Sequence, residues 1–242
     1  KICDLLIEHS KIREVGSLSG AVADKTIDAK GKVVAPGLID IHVHFREPGL
    51  THKADIGSES RAAIAGGVTS FMEMPNTVPP VFTQQLLEDK YEIAAHTSLA
   101  NYSFYMGTSN DDADETLRTN DKRKRVCGIK IFMGSSTGNL LVDNPLVLDR
   151  VFGNSELLIA THCEDEKLIQ SNLQRVKAEY KELLPHHHPE IRNEEECFES
   201  SFKAIQYAQK YGSRLHILHI STEKELQLFG NMLPLKDKRI TA

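Results

Sequence analysis

Leu38-Ile39-Asp40-Ile41-His42-Val43-His44 is the stretch that decides the fold. It is a short apolar run carrying two histidines two positions apart, and Ala35-Pro36-Gly37 sets it off from what precedes it. Strand side chains alternate, so His42 and His44 point to one side. From this run onward the chain repeats one pattern. Short apolar runs at residues 38–44, 68–74, 100–106, 126–133, 156–162 and 214–220 alternate with helical stretches. Helices are expected over residues 54–65 (stopped by Gly66-Gly67), 84–95 (with Thr83 as N-cap), 111–117, 146–152, 164–184, 193–211 and 223–229. Ile240 begins a seventh run.

Apolar strands alternating with helices mean βα units around a parallel sheet buried on both faces. No GxGxxG follows any strand, so the dinucleotide-binding fold lacks its fingerprint. The expectation is an α/β protein of the (β/α)8 TIM-barrel type. Residues 36–242 are fewer than the roughly 250 of a typical closed barrel, so the barrel is read as incomplete in this chain. Residues 1–35 read differently: a hairpin over residues 2–8 and 12–16, then strand, turn and strand over residues 26–34, with no helix signal between. They are expected to form a small, partial β-sandwich domain ahead of the barrel. The chain opens at Lys1 and stops at Arg239-Ile240-Thr241-Ala242, which reads as the start of a strand, so both ends read as cut.

Of the 242 residues, 40% are hydrophobic and 26% charged, too apolar a balance for a disordered chain. No run approaches the roughly 18 apolar residues of a membrane span, and the opening residues do not read as a secretory signal. With 29 basic and 34 acidic residues the net charge is −5, which argues against nucleic acid as a partner. Cys3, Cys127, Cys163 and Cys197 form no CxxC pair; neither a thiolate zinc site nor a disulfide framework is suggested, and a reducing cytoplasm fits.

Histidine carries the chemical signal. An HxH pair alone is ambiguous between satisfied histidines and metal ligands. His162 ends the run 156–162, however, and His219 lies near the end of the run 214–220. Three strand ends thus deliver imidazoles towards the C-terminal mouth, where barrel active sites lie, and favour a metal site. His216, three residues from His219, is expected to point the other way into packing. Lys130, inside Gly128-Ile129-Lys130-Ile131-Phe132, sits where burial is expected. An isolated buried ammonium is very costly. Either an acid pairs with it, or it reacts with carbon dioxide to give an anionic carbamate that can bridge two cations.

The run from Ala35 through His44-Phe45-Arg46-Glu47-Pro48-Gly49 resembles the signature of cyclic amidohydrolases, and of the dihydroorotases in particular. Ala62-Ala63-Ile64-Ala65-Gly66-Gly67-Val68-Thr69, Met74-Pro75-Asn76-Thr77, Gly128-Ile129-Lys130-Ile131-Phe132, Thr161-His162-Cys163-Glu164 and His219-Ile220-Ser221-Thr222 continue it in order. The resemblance implies two zinc ions per subunit. His42 and His44 would bind the first, His162 and His219 the second, and carboxylated Lys130 would bridge them. Arg46 and Asn76 would bind the substrate's α-carboxylate. The implied reaction is the reversible hydrolysis of dihydroorotate to N-carbamoyl-L-aspartate, a step of cytoplasmic pyrimidine biosynthesis. A hydantoinase- or allantoinase-type hydrolase and a catalytically inactive scaffold subunit are the alternatives. In the family an aspartate ending the eighth barrel strand transfers the proton; it is expected beyond Ala242, so no catalytic residue is assigned here. Oligomeric state stays open, a homodimer being common in such families.

Three further features are read as structural. His186-His187-His188 is expected as an exposed loop, His52 and His96 as surface residues, and residues 134–139 as a polar loop at the barrel mouth.

Overall fold

The computed structural model describes residues 3–134 and 139–242, in two compact units, Lys1–Pro36 and Gly37–Ala242. In the first, β1 (Asp4–Glu8) pairs antiparallel with β2 (Lys11–Gly16). Of the partial β-sandwich expected over residues 1–35, the described residues form this hairpin. Residues 26–34 close a turn, Lys32 N–H donating to the Ala29 carbonyl at 2.9 Å, but form no strand. A sandwich forms only where two sheets bury their inner faces on each other. Here Ile7, Ile12, Val15 and Val33 all stay exposed.

The second unit begins with β3 (Leu38–Val43) and continues with α1 (Ile56–Ala65), β4 (Val68–Glu73), α2 (Gln84–Thr97), β5 (Asn101–Gly107) and α3 (Ala113–Leu117). Next come β6 (Gly128–Phe132), α4 (Pro145–Asn154), β7 (Ile159–His162), α5 (Glu166–Glu179), α6 (His188–Ile191), α7 (Glu194–Tyr211), β8 (Leu215–Ile217) and β9 (Ile240–Thr241). The seven strands β3 to β9 pair in chain order, all parallel. A doubly wound sheet reverses its strand order; this one never does, as in a barrel.

Local chemistry sets the boundaries. Asp55 and Ser58 form a capping box on α1, and Gly66 caps its end before Gly67 turns at φ +91. Thr83 accepts from Leu86 N–H at the start of α2, and Asn193 caps α7, which ends on left-handed Gly212. The single helix expected over residues 164–184 stops at Tyr180, whose extended backbone leads to Pro185. The helix expected at residues 223–229 is a 3-10 turn, Lys224–Leu228.

Alternate residues of the central strands face two cores. Ile129, Ile131, Ile159, Leu215 and Ile217 pack outward against Leu148, Val151 and Ile205 of the helices. Met74, Tyr105, Ala160 and Leu218 cluster on the inner side. Each fully buried aliphatic side chain contributes about 1.5–3 kcal/mol. The sheet is curled. The Tyr105 hydroxyl on β5 donates to the Ile41 carbonyl on β3 at 3.1 Å, across the intervening β4. The rings of His42 and His219, at the ends of β3 and β8, lie 5.4 Å apart. On a flat sheet strands five places apart would be about 24 Å from each other.

Candidate active site

The curl gathers the histidines. His42 and His44 follow the strand alternation and meet at their Nε2 atoms, 3.2 Å apart. His162 ends β7, and its Nδ1 lies 3.0 Å from His219 Nε2. His219 has left-handed backbone (φ +41), beyond the end of β8. Strand alternation therefore does not relate it to His216. In the ladder Lys130, Ala160 and His216 are register partners, which puts His216 on the same face as Lys130, with its Nδ1 2.9 Å from Thr241 Oγ1. The expectation that it points away is corrected.

Lys130 lies beside the imidazole pairs, close enough for its charge to act on His42, His44 and His219. Its side chain is 1% exposed. Among the described residues its Nζ has no hydrogen-bond partner, and the Phe132 ring centroid is 4.3 Å away. The acid that could have paired with it is absent among the described residues. Burial pulls its pKa from 10.5 down to about 7. Burial, then the Lys130 and neighbouring histidine charges, lowers His42 to about 4. Burial, then Arg46, lowers His44 to about 3. His219 is lowered by burial, then by His162 and Lys130. All three are neutral imidazoles near pH 7, with a lone pair available on each ring.

The outer side of this cluster is fixed by charge. His162 Nε2 is 2.9 Å from Glu164 Oε2, and Arg192 binds the same carboxylate oxygen. Burial alone would raise Glu164, but the hydrogen bonds from His162 and Arg192 hold it at about 2. An ionised Glu164 fixes the proton of His162 on Nε2 and leaves Nδ1 free towards His219.

Arg46 and Asn76 lie against His44: the arginine charge lowers it, and the Asn76 side chain is within hydrogen-bonding reach. Asn76 is buried, with its Oδ1 unpartnered. Arg46 is left-handed at φ +72, and its N–H and that of Phe45 donate to Glu73 Oε1 at 3.1 and 3.0 Å. Glu73 in turn is ion-paired with Lys90 at 2.6 Å, both side chains inaccessible to solvent. Sequence reasoning passed over this pair, although a carboxylate inside Phe71-Met72-Glu73-Met74 is as anomalous as Lys130 in its run.

Asp40 is exposed and accepts the His42 N–H at 3.0 Å, away from the cluster. His52 and His96 are exposed. His187, expected on an exposed loop, is buried: it stacks on Tyr180 at 4.2 Å, and its Nδ1 accepts the Leu184 N–H. Of the polar loop at residues 134–139, residues 135–138 lie outside the described residues.

Among the described residues no three His, Cys, Asp or Glu side chains come together as a group for one metal ion. Each imidazole pair supplies two nitrogens, and the buried group beside the pairs is the Lys130 amine. Nitrogen separations of 3.0 and 3.2 Å are close to the roughly 3.3 Å that two nitrogens about 2.0–2.1 Å from one tetrahedral zinc would have. The donors fit two metals provided that Lys130 becomes an anion; its unpartnered, neutral-leaning amine is the form that reacts with carbon dioxide.

Solved structures of similar fold are hydantoinases, of the amidohydrolase TIM-barrel type. The L-hydantoinase (dihydropyrimidinase) of Arthrobacter aurescens matches with TM-score 0.86 and 26% identity, over 93% of this chain and 51% of that one. A D-hydantoinase from Thermus sp. matches in fold with TM-score 0.78. Within that class the chain belongs to the dihydroorotase-like family, whose profile, described as "Dihydro-orotase-like", covers residues 31–225. It is 31% identical over 225 residues to the dihydroorotase of Lactobacillus acidophilus, covering 93% of this chain and 51% of that protein. It is likewise 31% identical to the dihydroorotase of Methanosarcina mazei, over 90% of this chain and 48% of that protein. The chain spans about half the length of the curated relatives it matches.

Proposed function

We propose that this chain carries the metal- and substrate-binding part of a dihydroorotase, hydrolysing dihydroorotate reversibly to N-carbamoyl-L-aspartate. The observation that carries the reading is Lys130: a fully buried amine, unpartnered among the described residues, beside two imidazole pairs. A structural lysine would have a partner. Here His42 and His44 would hold one zinc, His162 and His219 a second, and carboxylated Lys130 would join them. Bound zinc would activate water near neutral pH and polarise the ring carbonyl.

The chain's own groups do the rest. Glu164, held by Arg192, keeps the proton of His162 on Nε2, so Nδ1 faces inward. Arg46 offers the planar fork that grips a carboxylate through two hydrogen bonds, and Asn76 adds amide groups beside it. Both lie next to His44, so the carboxylate would be fixed beside the reacting amide. Such a pair has no use for an uncharged hydantoin or dihydropyrimidine, which favours a carboxylated ring. Pyrimidine synthesis in the cytoplasm is the setting this activity implies. No helix among the described residues is long and apolar enough to cross a membrane.

The test is metal analysis of the intact protein together with turnover of dihydroorotate and of dihydrouracil, the same ring without the carboxylate. Two zinc ions per chain and a strong preference for dihydroorotate are expected. Turnover of dihydrouracil in preference would move the assignment to the hydantoinase type. Absence of both metal and turnover would leave the scaffold reading.

A further inference from the structure

The Glu73–Lys90 pair lies outside the imidazole cluster, and the chemistry above does not use it. Its construction is unusual. Glu73 ends β4 and is 0% exposed; Lys90, in the middle of α2, is 1% exposed. Lys90 Nζ spends one further hydrogen bond on the Met74 carbonyl at 3.1 Å. Burying both charges is costly, and replacing such a pair with apolar residues is often neutral or stabilising. Stability alone therefore does not explain the pair. What an apolar pair could not do is accept hydrogen bonds. Glu73 Oε1 takes the N–H groups of Phe45 and Arg46, the two residues that follow His44. Arg46 adopts left-handed backbone, which residues other than glycine and asparagine rarely take and which needs support from its surroundings.

We propose that Glu73, locked in place by Lys90, is a positioning residue that holds the Phe45–Arg46 backbone so that the Arg46 guanidinium is aimed at the substrate carboxylate. This rests on the carboxylate-binding role of Arg46 given above. One carboxylate oxygen pins two successive amides, which fixes the peptide plane and with it the direction in which the Arg46 side chain leaves the chain. Lys90 holds the other oxygen and so stops the carboxylate from rotating away.

Two double variants of the intact protein separate positioning from packing. E73Q/K90M removes both charges but keeps a carbonyl oxygen for the two amides. E73L/K90M removes the charges and the acceptor. Where E73L/K90M does not fold, E73M/K90M takes its place, since methionine repacks more readily. The readouts are hydrogen exchange at the Phe45 and Arg46 amides, and KM and kcat for N-carbamoyl-L-aspartate. In E73L/K90M the two amides should exchange at least about ten-fold faster, and KM should rise about ten-fold or more, with kcat changed far less. E73Q/K90M, which keeps the acceptor but loses the Lys90 lock, should shift both in the same direction by clearly less than E73L/K90M.

Equal behaviour of the two doubles overturns the inference, because a packing role does not distinguish them. So does faster exchange in E73L/K90M with KM unchanged. An R46A control identifies the other source of failure. If R46A leaves KM unchanged, the substrate role of Arg46 is wrong, and the inference falls with it even where the exchange result holds.

Discussion

Replacing Lys130 with methionine should stabilise the metal-free protein and abolish its metal site. Methionine keeps an unbranched side chain one atom shorter and removes the amine, so most of the space around Lys130 stays filled. The magnitude follows from the burial of Nζ. A pKa lowered from 10.5 to about 7 corresponds to about 5 kcal/mol, at 1.36 kcal/mol per pH unit. Between pH 7 and 10.5 the unfolded chain holds a proton that the folded chain has released. Stability from this group is therefore complete above pH 10.5 and falls as the pH drops to about 7. Below that, both states carry the proton and the full penalty remains. In the presence of a chelator at pH 7, K130M should accordingly be more stable than the parent by about 2–5 kcal/mol. The gap should close as the pH is raised towards 10. Urea unfolding with the m value checked for constancy measures it. With zinc and bicarbonate the order should reverse, since only the parent can retain the metals. A K130M protein that is less stable than the parent in chelator, or a gap that ignores pH, would refute the assignment of Lys130 as an unpartnered buried amine.

Two further perturbations test separate parts of the site. E164Q removes the ionised acceptor that holds His162, and zinc affinity measured by competition with a chromophoric chelator should fall about 10–100-fold. Gly107 ends β5, where an added Cβ would stand 2.7 Å from the Val81 carbonyl oxygen and 3.2 Å from Leu140 and Pro75. G107A should therefore cost about 1–3 kcal/mol in urea unfolding, and an unchanged midpoint would show that this contact gives way freely.

Much of the second unit was legible residue by residue. The alternation of apolar runs and helices located its strands, Thr83 and Gly66-Gly67 marked helix ends, and the odd positions in strands flagged His42, His44, Lys130 and His162. What stayed hidden was whatever depended on backbone conformation or on a partner far along the chain. His216 was misdirected because spacing was counted through left-handed His219. A polar histidine run reads as surface, and nothing local to His187 shows that the fold stacks its ring on Tyr180. In the first unit the hairpin was legible, but residues 26–34 form no strand: Val33 and Val34 have strand composition, and composition cannot supply the neighbouring strand that would pair with them.

By itself the sequence determined parity: which side chains of one strand share a face, because that alternation is a property of the backbone and needs no neighbour. Only the tertiary structure decided proximity. The curl of the sheet brings the ring of His42 at one edge to 5.4 Å from that of His219 five strands away, and buries Lys130 beside them. Strand twist accumulates over successive pairings, and no single strand records its sum. The same holds for Glu73. Its position in an apolar run was visible, but its function as an anchor depends on Phe45 and Arg46 from one segment and Lys90 from another.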